Sequence, residues 1–211
     1  MQSKLTLPEL RLLAIAGPPT VEPARLLDAC GAAVAGGVTA VQLRIKGAAA
    51  GELLELALQL VEELPVPVWV NDRADVALAA GARGVHVGAD DLAPAAVREF
   101  AGDRLKIGVS VGNDAEAEAA LAGGADYWSI GAMFATGTKP DAGDPIGPAG
   151  LRRLAARAPA GLPVMAIGGI AAQNVSEVIA AGAVGVAVSA AVFSAADVEG
   201  AARALREAMD G

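Results

Sequence analysis

The feature that most constrains this chain is an eightfold alternation. Short β-type runs, each closing on a glycine or polar cluster, alternate with Ala/Leu-rich amphipathic segments of helical length. Strands are predicted over 12–16, 40–43, 66–70, 84–87, 106–109, 127–130, 164–167 and 184–188, and helices over 23–35, 52–63, 74–80, 94–100, 115–122, 148–156, 174–180 and 198–209. A helix between two successive strands makes a crossover, and crossovers make the strands parallel. Eight such units within 211 residues fit an α/β fold closed on itself, a (β/α)8 barrel of the TIM type, better than an open doubly wound sheet. Residues 1–211 are expected to form a single domain, since closed barrels stay undivided at this length.

An internal echo supports the reading: Ala-Gly-Gly-Val at 35–38, Ala-Gly-Ala-Arg-Gly-Val at 80–85, Ala-Gly-Gly-Ala-Asp at 122–126 and Ala-Gly-Ala-Val-Gly-Val at 181–186. Each places a helix-ending glycine just ahead of the next strand, on the barrel's N-terminal face.

Bulk properties narrow the function. Mean hydropathy is high, +0.47, yet Gly, Pro or a charge interrupts every apolar stretch before it reaches bilayer-spanning length, so no membrane span is expected. The first ten residues lack the pattern of a secretory signal, and a cytoplasmic location is the expectation. A net charge of −8 argues against nucleic acid as a partner, but not against small anions held by a local cluster of cations. Cys30, the one cysteine, lies in an apolar helical stretch and reads as a core side chain.

Barrel chemistry belongs where the strands end. The second strand runs into Gln42, Arg44 and Lys46, whose alternation with Leu43 and Ile45 puts three long polar side chains on one side. Buried, they need partners; a solvated loop edge is the bland alternative. Asn71-Asp72-Arg73 follows the third strand and Gly88-Ala89-Asp90-Asp91 the fourth. Either aspartate could cap its following helix. As a pair on neighbouring loops they face Arg44, Lys46 and whatever anion those cations hold. Carboxylates repel a phosphate unless a hard cation lies between, and Mg2+ takes one or two carboxylates with phosphate oxygens and water. Asp72 and Asp91 are therefore expected to hold Mg2+ against a diphosphate.

His86, the only histidine, alternates with Val85 and Val87 and should point into the barrel, as a hydrogen-bonded core residue or as part of the site wall. Ser110 ends the fifth strand and offers a hydroxyl to a substrate or to the next turn, with Asn113 or Asp114 the natural helix cap. The long loop 131–147 after the sixth strand suggests a lid or binding segment, or an ordinary surface loop. On it Thr136, Thr138 and Lys139 form an anion clasp. Gly168-Gly169 after the seventh strand lets backbone N–H groups approach a phosphate, where barrels often place one.

Six stretches then carry a family resemblance: Gly-Gly-Val-Thr-Ala-Val-Gln-Leu-Arg-Ile-Lys (36–46), Asn-Asp-Arg (71–73), Gly-Val-His-Val-Gly-Ala-Asp-Asp-Leu (84–92), Gly-Val-Ser (108–110), Thr-Gly-Thr-Lys-Pro (136–140) and Ala-Ile-Gly-Gly-Ile (166–170). In this order they resemble the thiamine-phosphate synthase family. The resemblance implies a Mg2+-assisted transferase joining hydroxymethylpyrimidine diphosphate to a thiazole ethyl phosphate, with release of pyrophosphate. It implies Gln42, Arg44, Lys46, Asn71, Ser110 and Lys139 around the pyrimidine diphosphate, Asp72 and Asp91 on Mg2+, and Thr136, Thr138, Gly169, Val188 and Ser189, beside the Gly168 turn, on the thiazole phosphate.

Ser110, Lys139 and Arg44 are the residues on which catalysis is expected to rest. The departures from the family are Ala89 where relatives carry Gln, a strand-eight motif one residue shorter, and a first strand ending Ala16-Gly17-Pro18 without a polar pair. The alternatives are a thiazole tautomerase of the same barrel family, a Schiff-base aldolase using Lys46 or Lys139, and a non-catalytic binding protein. Partners are expected to be small-molecule substrates; the oligomeric state stays open, a homodimer among the expected forms.

Overall fold

The computed structural model describes residues 4–121, 123–138 and 143–211. Eight parallel strands pair in chain order: β1 (Leu12–Ala16), β2 (Ala40–Leu43), β3 (Val68–Asn71), β4 (Gly84–Val87), β5 (Lys106–Val111), β6 (Tyr127–Ile130), β7 (Val164–Ile167) and β8 (Gly185–Val188). The last pairs back onto the first, through Leu12↔Val186 and Ala14↔Val188, so the sheet is a closed barrel. The helices are α1 (Leu26–Ala35), α2 (Ala50–Glu63), α3 (Ala74–Ala79), α4 (Pro94–Ala101), α5 (Asp114–Leu121), α6 (Gly147–Ala155), α7 (Val175–Ala180), α8 (Ala190–Phe193) and α9 (Val198–Asp210).

The expected strands all form, with four shifts of boundary in three of them. β3 starts at Val68 rather than at 66, because Pro67 has no N–H to give the ladder and contributes only its carbonyl, which accepts from Val41 N at 3.0 Å. At its other end β3 extends to Asn71, in register with His86. β5 continues to Val111 and β8 begins one residue late, at Gly185. The segment 23–35 opens as a 3-10 turn, Pro23–Arg25, before α1. Three short elements were not anticipated: 3-10 turns at Leu7–Leu10 and Gly102–Arg104, and α8, a single turn directly after β8. The glycines of the four repeated turns, Gly37, Gly81, Gly124 and Gly182, all have positive φ, as a helix ending ahead of a strand requires.

Register decides which side chains enter the barrel. Partners across parallel strands share a face, so Ile15, Gln42, Trp69 and Gly84 point the same way, as do Asn71, His86, Gly108 and Tyr127, and Ser110, Ser129 and Met165. The inner core is Leu10, Leu13, Ala40, Trp69, Tyr127, Met165 and Ala187. The alternate residues, among them Val41, Val70, Val85, Ile107 and Trp128, build the larger layer between barrel and helices. Trp69 and Tyr127 meet edge to face, centroids 5.2 Å apart. Their bulk explains two glycines: a Cβ at Gly84 would overlap the Trp69 ring, and one at Gly108 the Tyr127 ring. Leu10 closes the N-terminal end, where Lys106 and Arg98 both pair with Asp126, at 3.4 and 2.6 Å. The opposite end is left for chemistry. Cys30 is buried, and burial pushes its thiol up to about 12, as its reading as a core side chain requires.

Candidate active site

At the C-terminal rim a cavity of about 430 Å3 opens between the loops. Arg44, Ser110, Thr136, Thr138, Gly168, Gly169, Val188 and Ser189 all line it, so residues from five strand ends that the sequence nominated meet around one volume. Arg44 is fixed through its backbone, its N–H donating to Ala16 O at 2.8 Å. The loop after β6 is latched to the one after β7: Met133 N donates to Ile167 O at 2.8 Å and Phe134 N to Gly168 O at 3.0 Å. Thr138 N in turn donates to Thr136 Oγ1 at 3.3 Å. Ser189 Oγ lies 2.9 Å from Thr20 Oγ1, and α8 starts at the cavity wall with Ala190 and Ala191. Lys139 falls outside the described residues.

A second cluster sits on the loops between Arg44 and Ser110. Lys46 Nζ is 2.9 Å from Asp72 Oδ2, its side chain 59% exposed. Asp72 caps nothing: the residue preceding α3 is Arg73, which makes no side-chain cap bond. Instead Asp72 adopts φ +63, the chain's one described non-glycine residue in the left-handed region, tied by its N–H to His86 O at 2.8 Å; strain of this kind gathers at functional sites. Asp91 does not cap α4 either, which is preceded by Ala93; its Oδ2 accepts from Gly88 N at 2.8 Å. Burial first, then the facing Asp72 carboxylate, hold the Asp91 carboxyl above the usual range, while the Gly88 N–H and Lys46 pull it down.

Two carboxylates converging beside a cation fit a hard divalent ion that draws its remaining ligands from phosphate oxygens and water. They do not make a complete protein cage, and among the described residues no cluster of three or more His, Cys, Asp or Glu side chains occurs.

Beneath the mouth, polar side chains are paired inside the barrel. Gln42, 3% exposed, donates Nε2–H to Asn71 Oδ1 at 2.7 Å, which satisfies two polar groups expected to face substrate. His86 points inward as its alternation predicts, with Nδ1 2.9 Å from Tyr127 Oη and Nε2 2.9 Å from Ser110 Oγ.

Sequence reasoning missed several site residues. Ser129 lies on the cavity floor, its Oγ buried and without a hydrogen-bond partner; only the pairing with Ser110 reveals its direction. Glu116 lines the cavity and accepts from Gly112 N at 2.7 Å, while Asn113 caps α5 by accepting from Glu116 N, as expected. Asn174 buttresses the glycine turn, donating Nδ2–H to Gly169 O at 3.0 Å and accepting from Ala171 N at 2.9 Å. An Asn ahead of a helix signals a cap, and its reach back to the preceding turn is the part that spacing does not disclose.

The family model described as thiamine monophosphate synthase matches residues 12–192, every strand of the barrel included. A thiamine-phosphate synthase of Moorella thermoacetica is 47% identical over 194 residues, covering 90% of this chain and 89% of that protein. One from Chloroflexus aurantiacus is 50% identical over 178 residues, 83% of this chain and 81% of its own length. Among solved structures, thiamine phosphate pyrophosphorylase from Pyrococcus furiosus superposes with a TM-score of 0.85 at 36% identity over 97% of both chains. With a closed barrel, a rim cavity and this extent of match, the chain belongs to the thiamine monophosphate synthase family.

Proposed function

We propose that this barrel joins 4-amino-2-methyl-5-hydroxymethylpyrimidine diphosphate to a thiazole ethyl phosphate, giving thiamine phosphate and pyrophosphate. The observation that carries the reading is the juxtaposition at one rim of two anion sites: the Lys46–Asp72–Asp91 cluster beside Arg44, and the cavity walled by Thr136, Thr138, Gly168, Gly169 and Ser189. Asp72 and Asp91 would hold Mg2+, which supplies charge neutralisation at the departing diphosphate.

Arg44 and Lys46 would bind diphosphate oxygens, and Ser110 would donate to the oxygen that leaves. Gln42 and Asn71, paired beneath, set the depth to which the pyrimidine enters. Lys139 is assigned to the same diphosphate. The bond from the exocyclic methylene carbon to the diphosphate oxygen breaks, its electron pair leaving with the oxygen. The amino-substituted ring carries the positive charge until the thiazole nitrogen contributes its lone pair to the new C–N bond. Thr136, Thr138, the Gly168-Gly169 turn, Val188 and Ser189 hold the thiazole phosphate so that this nitrogen, rather than water, is adjacent. No covalent enzyme intermediate is needed.

A tautomerase that moves only a proton on the thiazole phosphate has no diphosphate to hold, and the carboxylate corner would then serve no purpose. Among the described residues no helix is long and apolar enough to cross a membrane; a cytoplasmic location and a homodimer complete the proposal. The direct test is to incubate the protein with both substrates and Mg2+ and to measure thiamine phosphate and pyrophosphate in equal amounts. Absence of both products, with binding of both ligands intact, would leave a binding protein instead.

A further inference from the structure

The pair of 2.9 Å contacts through His86 connects a phenol in the barrel interior to a serine at the cavity. Each contact can run in either direction, and the direction decides what Ser110 offers a substrate. A neutral imidazole carries one N–H and one acceptor nitrogen. Tyr127 is 1% exposed, and its recorded hydrogen-bond partner among the described residues is His86 Nδ1. Were Nδ1 to carry the proton, the buried Tyr127 O–H would lose the acceptor it has among the described residues, which biases the equilibrium against that form by roughly five- to 150-fold. Ser110 is under no such constraint, since its hydroxyl borders the cavity. Burial also pushes the Tyr127 phenol well above its usual value, so it stays a donor.

We propose that His86 is a positioning residue for Ser110: Tyr127 donates O–H to His86 Nδ1, His86 donates Nε2–H to Ser110 Oγ, and the Ser110 O–H is thereby directed into the cavity as a donor to the departing diphosphate oxygen. The inward register of Asn71, His86, Gly108 and Tyr127 fixes the geometry, and the missing Cβ at Gly108 leaves the phenol its place. The last step rests on the proposed role of Ser110; the tautomer does not.

Because His86 is the chain's only histidine, nitrogen NMR of the protein labelled at histidine reports this one ring. The wild-type protein should carry its proton on Nε2. Tyr127→Phe keeps the ring but removes the donor, and should give a mixture of tautomers with kcat lowered about tenfold and KM for the thiazole phosphate unchanged. His86→Gln, whose amide can accept from Tyr127 and donate to Ser110, should retain more kcat than His86→Leu. A wild-type ring protonated on Nδ1 or on both nitrogens would overturn the relay. So would a Tyr127→Phe protein with unaltered tautomer and kcat, or Gln and Leu variants of equal activity. If the tautomer is as assigned but Ser110→Ala turns over at the wild-type rate, the role given to Ser110 falls, and with it the positioning role.

Discussion

Gly169 and Gly81 share the same positive φ, +65 and +66, in different surroundings. At Gly81 an added Cβ meets nothing within 4 Å, whereas at Gly169 it would lie 2.7 Å from Ala135 O and 2.8 Å from Phe134 Cβ. Gly81→Ala therefore isolates the left-handed penalty, about 1–2 kcal/mol. Gly169→Ala carries that penalty and overpacking as well, about 1–3 kcal/mol more. The surplus falls on the segment latched by Phe134 N to Gly168 O, which continues into Thr136 and Thr138.

A loop that gives way here moves its threonines away from the thiazole phosphate. The KM for that substrate should rise roughly five- to 150-fold in Gly169→Ala, and the KM for the pyrimidine diphosphate should hardly change. Gly81→Ala should lower the melting temperature and leave both KM values alone. Steady-state rates with each substrate varied while the other saturates, together with thermal melts of both variants, give the comparison. A rise confined to the diphosphate KM in Gly169→Ala, or an equal rise in Gly81→Ala, would refute the assignment of the thiazole phosphate to the β7 turn.

Asp91→Asn and Asp72→Asn should each cut Mg2+-dependent turnover by about 100-fold or more, and excess chelator should do the same to the wild type; full activity in chelator would remove the metal from the account. Because Asp91 titrates above the usual range when folded, its contribution to metal-free stability is present at low pH and lost as the pH rises through that raised value. Asp91→Asn should flatten this trend in metal-free melts recorded against pH. Gly108→Ala should destabilise the protein by about 2–4 kcal/mol, from overpacking against Tyr127 and loss of its bond to His86, read as a lower urea midpoint. Replacing the pyrimidine's methyl by an electron-withdrawing group of similar size should slow single turnover by several orders of magnitude, about 1.4 kcal/mol for each factor of ten; an unchanged rate would rule out a cationic ring.

The fold was legible because its signals are local and repeated. Each helix-ending glycine and each apolar run marks its element by itself, and eight of them in sequence leave one topology. The start of β3 moved past 66–67 because Pro67 lacks a donor, a rule visible in the sequence but outweighed there by the neighbouring valines. The rim was legible for the same reason: strand ends carry Arg44, Asp72, Asp91 and Ser110 to one face whatever the details. Pairings across strands were not legible. Gln42 and Asn71 satisfy each other, His86 bridges Tyr127 and Ser110, and Ser129 is turned to the cavity floor. These depend on register between segments far apart in the chain, which periodicity within one strand cannot supply.

Chain order around the rim also keeps the two proposed anion sites apart. β2, β3 and β4 are consecutive in the ring and bring Arg44, Lys46, Asp72 and Asp91; β6, β7 and β8 are consecutive on the far side and bring Thr136, the Gly168-Gly169 turn and Ser189. One seam between the halves is β5, which carries near its end Ser110, the hydroxyl proposed to meet the bond that breaks. The other seam is β1, which ends Ala16-Gly17-Pro18 with no polar side chain. There a side chain is unwanted: a Cβ at Gly17 would overlap the Arg44 carbonyl, and Ala16 O already holds the Arg44 N–H at 2.8 Å. The bare end of β1 thus acts as a backbone rest for Arg44, the arginine proposed for the diphosphate. A bulkier first-strand end would displace Arg44 before it touched either substrate.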